Sequence, residues 1–60
     1  MVLTKLRESK ALTQRELSKR AKVTEAYVSQ LESGVRNNPS LPVLKRLAKA
    51  LGVPVTALLE

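Results

Sequence analysis

Glu25, Ala26, Ser29, Gln30 and Ser33 recur at the spacing that places side chains on one side of an α-helix. All five are small or polar; no long cation and no large apolar group stands among them. Such a strip lets a helix approach another surface closely and offers it donors and acceptors. Base edges in the major groove of DNA reward that combination. There a glutamine can pair bidentately with adenine, a glutamate can accept from the cytosine amine, and an alanine can touch the thymine methyl. Gln30, Glu25 and Ala26 are residues of those types. The same strip is also what the wet face of any amphipathic helix presents, so its meaning depends on its neighbours.

Other chemistries are closed to the chain. It has no Cys, no His and no Asp. That removes disulfides and thiolates, the commonest general base and the commonest metal ligand. The five Glu are scattered, so no carboxylate cage is expected, and neither are a catalytic residue, a metal, a cofactor or a small-molecule ligand. Sixty residues allow one small domain with a thin core. The longest apolar stretch is a few residues, too short to span a membrane. The N-terminus lacks the apolar core of a signal peptide, which makes the cytoplasm the expected compartment. The chain reads as a small binding module rather than an enzyme.

That module is basic. Eleven Lys and Arg against five Glu give a net charge of +6 and a sequence pI near 10.4. Seven of the cations (Lys5, Arg7, Lys10, Arg15, Lys19, Arg20 and Lys22) face only Glu8 and Glu16 within residues 5–22. Lys45, Arg46 and Lys49 form a second group. Such a field draws polyanions, either nucleic acid or an acidic membrane surface, though a solvated surface that keeps a small protein soluble carries charge too.

The elements that must position the strip are short helices. A loose three-to-four spacing of Leu3, Leu6 and then Lys10 with Ala11 predicts a first helix over about 2–10. Thr13, with Glu16 three residues on, predicts a capping box and a second helix over 14–21, with Leu17, Ser18 and Ala21 facing inward. Thr24 caps a third over 25–33, stopped by Gly34. On that helix Val28, Leu31, Glu32 and Val35 share the face opposite the polar strip. Asn37, Asn38 and Pro39 are turn chemistry. Ser40, with Pro42 in the first turn, starts a fourth helix over 41–51, ended by Gly52; Pro54 opens a last one over 55–59. No alternating stretch supports a strand, so the fold class is all-α.

Four further features follow from this layout. Glu32 sits on an apolar face, where a carboxylate is costly unless paired; Arg7, among Leu3, Leu6 and Ala11, is its expected partner. The N-terminus of the second helix, Thr13-Gln14-Arg15, offers free amides and a favourable dipole to a phosphate. Tyr27 can reach a phosphate with its hydroxyl or sit half-buried in the core. Arg36, Asn37 and Asn38 can grip a backbone on the far side of a groove or form an ordinary solvated turn.

The ordered pieces are Leu6-Arg7, Leu12-Thr13-Gln14-Arg15-Glu16-Leu17, Ala21-Lys22-Val23-Thr24 and Tyr27-Val28-Ser29-Gln30-Leu31-Glu32-Ser33-Gly34. They continue as Asn38-Pro39-Ser40-Leu41, Leu44, Leu47-Ala48-Lys49-Ala50-Leu51-Gly52-Val53 and Leu58-Leu59. With these gaps the chain resembles the Cro/CI-repressor-type helix-turn-helix family, also called the XRE family, over essentially its whole length. Two residues depart from the family's pattern. Lys22 stands at a turn where Gly is usual, and Ser18 where Ala is usual.

The resemblance implies a compact five-helix, lambda-repressor-like domain over 1–60, with the helix-turn-helix at helices two and three, about 14–33. It implies sequence-specific binding of double-stranded DNA by a bacterial or phage transcriptional regulator, a repressor by expectation. Glu25, Ala26, Ser29 and Gln30 would face bases. Gln14, Arg15, Thr24, Tyr27, Ser33, Arg36, Asn37 and Asn38 would hold phosphates. Arg7 and Glu32 match the family's salt bridge between helices one and three. A homodimer on a palindromic operator is expected, its half-sites about 34 Å apart. Val55, Leu58 and Leu59 are candidates for the dimer surface, or for capping the domain's own core. The alternative is an antitoxin or other interaction module of the same fold whose main partner is a protein. A membrane-bound basic helix fits poorly, since the cations spread over several helices without aromatic anchors.

Overall fold

The computed structural model describes residues 2–59. Five helices follow in order: α1 (Leu3–Ser9), α2 (Gln14–Ala21), α3 (Glu25–Ser33), α4 (Leu41–Leu51) and α5 (Val55–Leu58). The described residues contain no strand, and none of their helices is long and apolar enough to cross a membrane. The boundaries of α2, α3 and α4 are those the caps dictate.

Thr13 accepts from the Glu16 amide at 3.0 Å while its own amide donates to Glu16 Oε1 at 2.9 Å, a complete capping box. Thr24 accepts from the Tyr27 amide and Ser40 from the Val43 amide. Gly34 and Gly52 take left-handed backbone at the ends of α3 and α4 (φ +85° and +70°), where a Cβ raises the cost. Lys22 takes the same conformation at the end of α2, with φ +59°. The usual glycine site is therefore left-handed here as well, held by a residue for which it is strained.

α2 is central, packed against α3 on one side and α4 on the other; α5 closes on α4, and α1 on α3. Leu17 of α2, Val28 of α3, Leu47 of α4, Leu58 of α5 and Leu3 of α1 are all fully enclosed. Each helix thus contributes one such side chain to a shared core, completed by Leu12, Ala21, Leu31, Ala48 and Leu51. Complete burial of one aliphatic side chain contributes about 1.5–3 kcal/mol. Ser18 is also buried; its hydroxyl donates to the Arg15 carbonyl at 2.7 Å, so its small size fits the α2–α3 contact with no polar cost.

Four expectations need correction. The first helix is shorter than 2–10, because the chain turns at Lys10 and then takes left-handed backbone at Ala11 (φ +56°). No glycine or asparagine marks that turn. The last helix ends at Leu58 rather than 59. Val35 does not extend the apolar face of α3: Gly34 ends the helix and turns the chain, leaving Val35 79% exposed. Leu58 is no dimer-surface residue, since it lies wholly inside the domain's own core. Leu59 is 63% exposed, and Val55 is partly buried against the core.

Candidate nucleic-acid interface

Two polar clusters organise this region: one ties α1, α3 and the capped N-terminus of α2 together, and the other ties α3 to the loop after it. Arg7 of α1 grips Glu32 of α3 with two hydrogen bonds, Nε to Oε2 at 2.6 Å and Nη2 to Oε1 at 3.1 Å. Its remaining arm, Nη1, donates to the Leu12 carbonyl at 2.7 Å, in the turn that leads into α2. Gln14, the first residue of α2, donates Nε2 to Glu32 Oε1 at 3.0 Å. The side chains of Arg7 and Glu32 are only 13% and 7% exposed. Burial pushes the Glu32 carboxyl up, but the hydrogen bonds from Arg7 and Gln14 and the Arg7 charge more than offset it. The group is held below the usual glutamate range. The Arg7 guanidinium is raised in turn, chiefly by its hydrogen bond to Glu32. This is a planar fork on a carboxylate, the geometry in which an arginine–carboxylate pair is strongest. It fixes where α3 and the start of α2 stand relative to each other.

Gln14 is the one member of this network that the sequence did not place there. Its amide nitrogen serves Glu32, and the side chain is half-buried. What the α2 N-terminus still presents outward is backbone. The Glu16 amide is taken by Thr13, so the amides of Gln14 and Arg15 remain without helical partners. The exposed Arg15 side chain stands beside them.

On α3, Glu25, Ala26 and Ser29 are exposed and Gln30 is half-buried, while Val28 and Leu31 point into the core. The polar strip therefore faces away from the interior. Thr24, at the head of α3, is exposed and uses its oxygen as the cap; its hydroxyl proton remains for an acceptor outside. Ser33 donates back to the Gln30 carbonyl at 3.2 Å.

Tyr27 is half-buried against the core, with the Arg36 guanidinium over its ring at 5.0 Å. The same arginine donates Nε to Gln30 Oε1 at 3.1 Å. Asn37 and Asn38 are exposed in the loop that follows. The candidate base-reading and phosphate-holding residues are thus exposed or half-buried, none of them enclosed in the core. Val55 and Leu59 belong to the opposite end of the chain.

A second basic feature was not singled out as a site by the sequence. Arg20 and Lys22 from the end of α2, with Arg46, Lys49 and Ala50 from α4, line a cleft of about 470 Å³. Arg46 Nε donates to the Ala21 carbonyl at 2.9 Å and so caps α2 from the side. The two runs of cations were visible in the chain, but only the packing of α4 on α2 brings them together.

A family model described as Helix-turn-helix matches residues 3–58. The chain belongs to the Cro/CI-type (XRE) helix-turn-helix family. Its fold superposes on the N-terminal DNA-binding domain of SinR from Bacillus subtilis with a TM-score of 0.89. That match is 31% identical and covers 97% of this chain and 84% of the other. Over 49 residues the domain is 47% identical to the HTH-type transcriptional regulator y4dJ of Sinorhizobium fredii, covering 82% of this chain and 62% of that protein. Over 58 residues it is 40% identical to the HTH-type transcriptional regulator DdrOP3 of Deinococcus deserti, covering 97% and 44%. An immunity repressor protein of Bacillus phage phi105 is 38% identical over 53 residues, covering 88% and 36%. This helix-turn-helix chain therefore spans less than two thirds of the length of these curated relatives. In this domain the helix-turn-helix is α2, the Lys22–Thr24 turn and α3.

Proposed function

We propose that this helix-turn-helix domain binds double-stranded DNA sequence-specifically and regulates transcription, without chemistry of its own. The carrying observation is the outward strip Glu25, Ala26, Ser29 and Gln30 on a nine-residue helix, locked through Glu32 to the helix whose N-terminus can bind a phosphate. An α-helix with a narrow polar rim fits the major groove, about 12 Å wide. The Gln14 and Arg15 amides, with Arg15, Thr24, Ser33, Asn37 and Asn38, supply phosphate contacts that set register and affinity. Tyr27 contributes through its ring edge and hydroxyl. The regulators and the repressor among its relatives support the same reading, and repression is the direction that the phage relative's name favours.

Two copies on a palindrome follow from size. The domain measures 23 × 23 × 18 Å, so two copies fit without overlap on half-sites about 34 Å apart. The exposed Leu59 and the partly buried Val55 are candidate apolar contacts between them. The cytoplasm, where DNA is found in a bacterium, is the compartment this reading requires.

Selection of bound duplexes from a random pool at two salt concentrations tests the proposal. The expected result is one recovered palindrome, bound with an affinity that falls steeply with salt as counterions are released. A pool that shows no enrichment at either salt overturns it.

A further inference from the structure

Arg36 stands where sequence reasoning placed a phosphate contact, yet the structure ties it to Gln30 twice and to Tyr27 once. Its backbone amide donates to the Gln30 carbonyl at 3.1 Å. Its Nε donates to Gln30 Oε1 at 3.1 Å. Its guanidinium lies over Tyr27, 5.0 Å from the ring centre, in cation–π range. A flexible arginine is thereby held at the edge of the strip that faces outward.

The chemistry of the pair decides what that strip offers. A guanidinium has donors and no acceptor. The Gln30 atom facing it must be the amide oxygen, because an amide nitrogen there would set donor against donor. The Gln30 nitrogen then turns the other way, with both its hydrogens to give. Arg36 adds the hydrogens of its two terminal nitrogens. Gln30 and Arg36 together therefore present donors to whatever lies beyond them. Adenine recognition by glutamine uses the amide oxygen to accept from the adenine amine, and here one of that oxygen's two lone pairs is already taken by Arg36 and its direction is set by that bond. Guanine shows two acceptors, N7 and O6, on its major-groove edge and asks only for donors.

We infer that Arg36 is a specificity-determining residue that acts on and with Gln30, turning a glutamine expected to read adenine into half of a donor-rich pair that reads guanine. This rests on the proposal that α3 enters the major groove.

The test is selection from a random duplex pool with four proteins: the wild type and its Gln30→Ala, Arg36→Ala and Arg36→Lys variants. Gln30→Ala locates the base pair in question as the one position where preference is lost. The wild type is expected to require guanine there. Arg36→Ala is expected to lower the guanine preference at that same position by about tenfold or more and to let adenine rise. Every other position and the salt slope should stay unchanged. Arg36→Lys, which keeps the charge but loses the fork, is expected to resemble Arg36→Ala.

Two results overturn the inference while leaving groove reading intact. One is a wild-type preference for adenine at the Gln30 position. The other is an Arg36→Ala variant that weakens binding to all sequences alike, with a salt slope reduced by about one; that is the signature of a phosphate contact. A wild type with no preference at any position removes the groove reading itself, and the inference with it.

Discussion

The Arg7–Glu32–Gln14 junction and the Tyr27–Gln30–Arg36 edge are both polar clusters on α3, yet they do opposite work. At the junction the groups are nearly closed off from water, the carboxylate is met by three donors, and every contact bridges two helices. At the edge the contacts stay within α3 and the residues just after it, and Arg36 and its neighbours are exposed. The first cluster has spent its hydrogen-bonding capacity on holding the fold. The second keeps donors unspent. Burial with full satisfaction builds position, and exposure with capacity left over builds recognition.

Breaking the junction should give the largest effect. Glu32→Ala strands the Arg7 guanidinium in a largely buried site, which costs about 3 kcal/mol or more. A domain of this size has only about 3–9 kcal/mol of stability in all. Chemical denaturation monitored by circular dichroism should find the variant largely or wholly unfolded. A midpoint close to that of the wild type would mean that the junction is not what holds α3 in place.

Breaking the edge should leave stability alone and change recognition. Gln30→Ala should reduce discrimination at one base pair by about 1–3 kcal/mol, with a melting temperature near the wild type's. Titration of the variant against single-base variants of a selected duplex measures this. Equal losses on every duplex would place Gln30 among the positioning residues instead.

A smaller gain is expected from the turn between the two helices. Lys22→Gly relieves left-handed backbone and should stabilise by about 1 kcal/mol, raising the melting temperature by roughly 4–8 °C. An unchanged or lower value would count against the strain.

Acid is the mildest perturbation and touches the junction and the α2 capping box. The Glu32 carboxyl is held below its ordinary value in the folded state, so its contribution is full above the unfolded value of about 4.3. It is lost as pH falls through the lowered folded value. Glu16, lowered chiefly by the hydrogen bond from the Thr13 amide, acts with the same sign. Stability measured against pH should therefore decline below about 4.3 and decline less steeply in Glu32→Gln. A Glu32→Gln curve parallel to the wild type's would remove Glu32 as the source.

Much of this was legible in the chain because it depended on near neighbours. Thr13 with Glu16, Thr24, Ser40, Gly34 and Gly52 mark their helix ends locally, and α2, α3 and α4 begin and end where they say. The Arg7–Glu32 pair spans 25 residues, but a charge on an apolar face announces its need for a partner. Three features were not legible, each for a physical reason. Ala11 takes left-handed backbone without a residue type that signals it. Gln14 serves Glu32 because the start of α2 meets the last turn of α3, a matter of tertiary angle rather than spacing. Arg36 reaches Gln30 only because Gly34 folds the chain back, and no periodicity survives across that bend. Leu58 was misjudged as well: its burial depends on how α5 closes on α4.

Two basic surfaces compete for the polyanion, the α2–α3 face and the α2–α4 cleft, and amide spectra of the ¹⁵N-labelled domain titrated with a selected duplex decide between them. The expected shifts concentrate at Gln14, Arg15, Thr24 to Gln30 and Arg36 to Asn38. Shifts concentrated instead at Arg20, Lys22, Arg46 and Lys49, with the outer face of α3 unmoved, would contradict the account.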